Sequence, residues 1–240
     1  MERAGGEGAF LSIDVRTVAE TGSTNADVLE LARAGAPEGL WLRAERQLAG
    51  RGRQGREWRS PTGNLYASTL IRVRPDDPPL GTLALVAAVA LREAVGTGTI
   101  KWPNDLMIHG AKVAGILLER ADDAIVAGFG VNVAQAPELP DRPTTALGAT
   151  GLTREPAELL AALAERLAVW LARWREPAPG AVADAWLAWA HPKGAALSVN
   201  LPDGSRVEGR FDGLVPDGAL ALRLASGERR TIHAGDVFQL

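Results

Sequence analysis

Between two strand-like runs of this chain, glycine alternates with arginine in the segment Gly50-Arg51-Gly52-Arg53-Gln54-Gly55-Arg56. Glycine lets a backbone reach positive φ or come close to a ligand, and a guanidinium fork grips a carboxylate or phosphate at two points. Such a segment by itself fits a solvated RG-type loop on nucleic acid equally well. Its flanks favour the ordered alternative, because residues 40–46 (LWLRAER) feed it as one strand and residues 64–71 (NLYASTLI) leave it as another. A loop hung between two strands is placed to clamp a small anion.

The rest of the composition narrows what that anion site can belong to. With 240 residues the chain can bury a core without staples, and zero Cys excludes disulfides, thiolate metal sites and cysteine nucleophiles. The opening residues MERAGGEGAF carry no apolar run, and Arg92 and Glu93 interrupt the apolar stretch 80–95, so neither a signal peptide nor a membrane span is expected. A cytoplasmic location is the default reading. The net charge of -3 lacks the basic footprint of a nucleic-acid binder. Of 26 Lys+Arg, the lysines are only Lys101, Lys112 and Lys193, so a compact ammonium retained at 101 and 112 points to a local need for one.

In chain order, residues 13–19 read as a strand and Ser23-Thr24-Asn25 opens a helix closed by Gly35. Any of the three polar residues would serve as an N-cap, and together they could also grip a polar ligand group beside free N–H donors. Residues 80–95 read as a buried helix, 100–108 as a strand broken at Pro103 with a turn at Asn104-Asp105, and 112–119 and 124–133 as two further strands. Gly128 and Gly130 imply that a backbone or ligand comes close there. A helix is expected over 155–175, with its tryptophans in the core, and a further one over 181–190. After a boundary at 191–194, short strands joined by Asp-Gly and Ser-Gly turns suggest a small SH3-like barrel. The expected fold class is α+β, a mixed or antiparallel sheet with flanking helices, divided into residues 1–192 and 193–240.

Five segments now resemble one family, the biotin protein ligases. They are Ser23-Thr24-Asn25; Gln47 with the Gly/Arg run and Trp58; Lys101-Trp102-Pro103-Asn104-Asp105; Lys112-Val113-Ala114-Gly115-Ile116-Leu117; and Gly128-Phe129-Gly130-Val131-Asn132. Each is weak singly, but their order and spacing together are specific. The resemblance implies a class II synthetase-like catalytic domain, with biotin coupled to ATP and then moved from biotinyl-5'-AMP to one lysine of a biotin carboxyl carrier domain. By the same resemblance, Ser23, Thr24, Asn25, Gln47, Gly50 and Gly115 would face biotin. Arg51, Arg53 and Lys112 would hold the biotin carboxylate and the phosphates, with Lys112 the main electrostatic catalyst. Asn104, Asp105 and Asn132 would meet ATP and Mg2+, with no protein metal ligand assigned, and Trp58 would order the loop over the ligand. The resemblance also allows a homodimer.

Some members of that family carry an N-terminal DNA-binding domain. Here about a dozen residues precede the first strand, so no sequence-specific DNA binding is expected. The nearest rival is a lipoate or octanoate ligase of the same fold, whose transferase branch would want a nucleophile that a Cys-free chain lacks. A rival of another class, an RNA- or protein-binding module, would want an aromatic-studded basic face, yet the chain has one Tyr and four Phe. His109, His191 and His233 lie far apart and are read as no metal site.

Overall fold

The computed structural model describes residues 14–140, 142–177 and 180–239. The first residues of the chain, Ile13 at the start of the expected first strand, Asp141, Pro179 and Leu240 therefore lie outside the described residues.

Seven strands form the main sheet: β1 Asp14–Thr21, β2 Leu40–Gln47, β3 Leu65–Arg72, β4 Thr99–Lys101, β5 Asp105–Ile108, β6 Ala111–Ala121 and β7 Ala124–Val131. Their order is β1-β2-β3-β7-β6-β5-β4, with β1 parallel to β2 and every other neighbouring pair antiparallel. The sheet is thus mixed, as its strand runs suggest.

Strand alternation decides what each face carries, because successive side chains point to opposite sides. On β7, Ile125, Ala127, Phe129 and Val131 join the main core, while Ala124 and Val126 pack with Leu70 and Leu42 under a helix on the other face. That helix, α1 Thr24–Arg33, contributes Val28 and Ala32. The main core is roofed by α2 Leu83–Val95, α3 Pro156–Arg175 and α4 Ala181–Trp189. Helix α2 buries ten of its thirteen residues, which explains an apolar run too short and too interrupted to span a bilayer. Gly96, at φ 85°, turns its C-terminus as only a residue without Cβ does cheaply. Trp41, Trp102, Trp170, Trp174 and Trp186 are all buried, in keeping with their helical or strand spacing. Arg175 ties the end of α3 to the sheet rim through Glu38 at 2.7 Å and Asp77 at 3.0 Å.

Strands β8 Ala196–Asn200, β9 Arg206–Leu214, β10 Leu220–Arg223, β11 Arg229–Ile232 and β12 Asp236–Gln239 form a second, antiparallel sheet of order β11-β10-β9-β8-β12. Its apolar face merges with the main core, Trp186 of α4 meeting Phe211 of β9 edge-on at 6.4 Å between centroids. Trp102 Nε1 donates to Gly218 O, a second tie between the sheets.

Candidate active site

On the α1 side of the main sheet, beyond the helix N-terminus, the floor is thinned by small residues. Ser68 of β3, Gly115 of β6 and Gly128 and Gly130 of β7 stand where larger side chains would fill the space. A cavity of about 240 Å3 opens above them. The sequence reading left open whether a backbone or a ligand approaches Gly128 and Gly130. The neighbours are side chains: a Cβ on Gly128 would collide with the Asn25 amide, and one on Gly130 would meet the Trp58 ring.

Ser23, Thr24, Asn25 and Gln47 line one end of this cavity. Ser23 sits at the N-cap position, but its side chain makes no capping hydrogen bond, so capping does not account for the triplet. Instead the Thr24 N–H donates to Gln47 Oε1 at 2.9 Å, and Thr24 Oγ1 lies 3.1 Å from the same oxygen. Gln47 Nε2 donates to Ser60 Oγ at 3.1 Å. Thr24 and Asn25 are buried and lie against Ser68 of the sheet. Gly50 is the predicted residue that does not line the cavity. It is buried at the base of the loop, its carbonyl accepting from Trp58 N–H at 2.9 Å, and a Cβ there would strike the Trp58 carbonyl and Gln47. Close packing, and not a positive φ, asks for glycine at that position.

The opposite end is cationic. Arg51, Arg53, Arg56, Arg142 and Lys112 line it together with Asn104, Asp105, Asn132 and Asp236. Lys112 Nζ pairs with Asp105 Oδ1 at 2.6 Å, both side chains largely buried, and lies 5.2 Å above the Trp58 ring. The Trp58 ring rests on Gly115 and Gly130 and walls the cavity between the polar and cationic ends. Arg53 donates to Asn104 Oδ1 at 3.2 Å and to Gly235 O at 3.4 Å. Burial draws the Arg53 guanidinium below its ordinary value against the pull of Asp236 and Asp105, and a guanidinium so placed stays charged. Asn104 spends its other amide end on Ile116 O at 2.6 Å. Asn132, which lines the cavity, donates to Thr145 O at 3.1 Å, while its Oδ1 is buried with no partner. An orphaned buried acceptor costs stability unless something supplies a donor or a cation.

Residues 229–239 supply what the motifs did not point to. Arg56 bonds the Asp236 carboxylate, and Gly235 O receives Arg53, so the second sheet holds the tip of the Gly/Arg loop. Burial pushes the Asp236 carboxyl up, but the hydrogen bond from Arg56 and the charges of Arg56, Arg53 and Arg142 outweigh it and hold the group below the usual range. No local signal separates Asp236 from the other acids of that sheet, since its role depends on a contact 180 residues away in sequence.

This arrangement can be set beside known proteins. A family model described as the Biotin/lipoate A/B protein ligase family matches residues 19–134, and one described as the Biotin protein ligase C terminal domain matches residues 198–239. A biotin--[acetyl-CoA-carboxylase] ligase of Paracoccus denitrificans is 39% identical over 241 residues, covering 92% of this chain and 98% of the relative. The chain belongs to the biotin protein ligase family. A second member, the biotin--[acetyl-CoA-carboxylase] ligase of Mycobacterium tuberculosis, is 38% identical over 93% of this chain and 88% of its own. Among solved structures, the biotin protein ligase from Aquifex aeolicus in complex with biotin and ATP superposes with a TM-score of 0.83 at 26% identity, covering 95% of this chain and 99% of that one. The biotin protein ligase family thus accounts for both sheets of the chain, including the one that carries Gly235 and Asp236.

Proposed function

We propose that this protein is a ligase that activates biotin with ATP to biotinyl-5'-AMP and pyrophosphate, then transfers the biotinyl group to a lysine of a biotin carboxyl carrier protein in the cytoplasm. The observation that carries the reading is the convergence of Asn25, Arg53, Lys112 and Asn132, from four separate segments, on one cavity with a neutral polar end and a cationic end. That polarity matches a ligand with a ureido ring at one end and a carboxylate at the other. Likeness over most of the chain to two biotin--[acetyl-CoA-carboxylase] ligases favours biotin over lipoate, which the wider family description alone does not separate. Residues 14–192 act as the catalytic unit and 193–239 as the unit that closes the loop onto it.

In the first step the biotin carboxylate attacks the α-phosphorus, and the bond to the pyrophosphate oxygen breaks. Two anions must approach, and charge grows on the non-bridging oxygens. Lys112, Arg51 and Arg53 offset both, and being fixed they reorganise little as the charge develops. Lys112 is preset for this by Asp105, which holds the ammonium in place and would cede part of its attraction to the arriving oxygens. Gly115 leaves room for the reacting carboxylate beside Lys112 Nζ, where a Cβ would lie within 3.1 Å. Magnesium fits this donor set only as an ion carried by the nucleotide: among the described residues no group of three or more metal-binding side chains occurs, but Asn132 Oδ1 offers one unpaired hard oxygen. Bound with ATP and held by Asn132 and the Asp105 carboxylate, it would neutralise phosphate charge. In the second step the carrier lysine, with an ordinary pKa of ~10.4, gives a proton to solvent and its neutral amine attacks the carbonyl of the mixed anhydride, forming the amide as the bond to AMP breaks and AMP leaves. The cationic end lowers the cost of the neutral amine, and the Gly/Arg loop keeps water from the adenylate.

Incubation with ATP and either biotin or lipoate, followed by isolation of the acid-labile acyl-AMP, tests the reading. Biotin-dependent pyrophosphate exchange and biotin on a carrier lysine are expected. Lipoyl-AMP with no biotinyl-AMP would move the assignment to the rival ligase.

A further inference from the structure

The neutral end of the cavity is ordered from outside it. Asn25 Oδ1 accepts from Ser68 Oγ at 2.6 Å, and Asn25 Nδ2 donates to Glu119 Oε2 at 2.7 Å, with a longer approach to Leu117 O at 3.4 Å. Ser68 Oγ also lies 2.7 Å from Thr24 Oγ1. A hydroxyl has one proton and two lone pairs. The Ser68 proton is committed to Asn25 Oδ1, so the short Thr24–Ser68 contact is made by the Thr24 proton. The Thr24 backbone N–H, at 2.9 Å, then serves Gln47 Oε1, which at 3.1 Å from Thr24 Oγ1 is the more distant of the two partners open to that hydroxyl's proton. Protons therefore run in one direction, Thr24 to Ser68 to Asn25, and Thr24 Oγ1, its proton spent on Ser68, is left as an acceptor.

What sets that direction is the way the Asn25 amide faces. Turned over, it would donate to Ser68, Ser68 would donate to Thr24, and the Thr24 proton would be released to Gln47 Oε1 at 3.1 Å or to a ligand, so Thr24 would no longer be an acceptor only. A carboxylate only accepts, so Glu119 admits Nδ2 and rejects Oδ1. Gly128 leaves no slack, because a Cβ there would run into the Asn25 amide. Glu119 is half-buried on β6 and does not itself line the cavity. We propose that Glu119 is a positioning residue that fixes the Asn25 amide and thereby makes the Thr24 end of the cavity an acceptor, selecting ring substrates that donate N–H. The inference rests on the biotin reading above, since a cyclic urea supplies such N–H groups and a dithiolane does not.

Glu119→Leu and Glu119→Met both remove the acceptor while keeping much of the bulk. Each is expected to raise KM for biotin in ATP–pyrophosphate exchange by about tenfold, the order of one hydrogen bond lost or reversed, with kcat and KM for ATP within about twofold of wild type. Glu119→Gln keeps an oxygen that can accept from Asn25 and should restore most of the biotin affinity. A biotin analogue whose ring N–H groups are replaced by oxygen gives the second readout: wild type prefers biotin, and the apolar variants narrow that preference by about tenfold. Either apolar variant, folded, with unchanged biotin KM overturns the proposal. So does a Glu119→Gln as impaired as the apolar pair, with kcat and ATP KM falling alongside, which is the signature of general structural damage. Absence of any biotin-dependent exchange in wild type would instead sink the functional reading on which this one is built.

Discussion

At the scale of single residues, the deciding contact is the 2.6 Å pair between Lys112 and Asp105. Removing one partner of a buried pair strands the other charge, which typically costs about 3 kcal/mol. Lys112→Ala should therefore lower stability by about that amount and, independently, abolish adenylate formation at any biotin concentration. Exchange assayed with the variant shown to be folded separates the two effects, and near-normal rates would remove Lys112 from its catalytic role. The scarcity of lysines points to Lys101 and Lys112 alike, and it is the family resemblance that gives Lys112 its role. The sequence marks Asp105 as a turn residue and, by resemblance, as a group meeting ATP, but not as the partner of Lys112, since the register that sets Asp105 opposite Gly115 belongs to the sheet.

Elements decide where the cavity is. Strand β7 puts Phe129 and Val131 into the core and Gly128 and Gly130 on the opposite face, so one strand both packs the fold and hollows the site. Gly128→Ala should displace the Asn25 amide, raising KM for biotin by about tenfold or more while costing about 1–3 kcal/mol of stability, as overpacking does. Kinetics with biotin varied at saturating ATP, beside a denaturant titration, would show it, and an unchanged KM would mean that Asn25 has room the geometry denies. The Gly/Arg loop is the other decisive element. Arg56 and Arg53 fasten it to Asp236 and Gly235. Arg53→Gly should loosen that closure and let biotinyl-AMP escape, read as biotin on bystander proteins. Labelling restricted to the carrier lysine would contradict this. The glycines announced a loop that handles anions, but nothing local in the sequence told which surface it closes against.

At the scale of the whole molecule, the two sheets share one apolar core. Trp186 is 1% exposed between them and meets Phe211 of the second sheet. Trp186→Ala should cost about 3–5 kcal/mol and lower adenylation as well, because the sheet it supports carries Asp236 and Gly235. Urea unfolding followed alongside exchange activity checks this. Loss of stability with wild-type exchange rates would show that the second sheet holds the loop without help from this contact.

By itself the sequence determined the elements and the chemistry. Alternation of apolar residues set the strands, helical spacing set the tryptophan-bearing helices, and the arginines, glycines and retained lysines marked a site for anions. The tertiary structure alone decided which groups face one another. Asn25 meets Glu119 across 94 positions and Arg56 meets Asp236 across 180. Local preference reaches a few residues along a chain, whereas contacts at such separations arise only when sheet register and packing bring distant segments together.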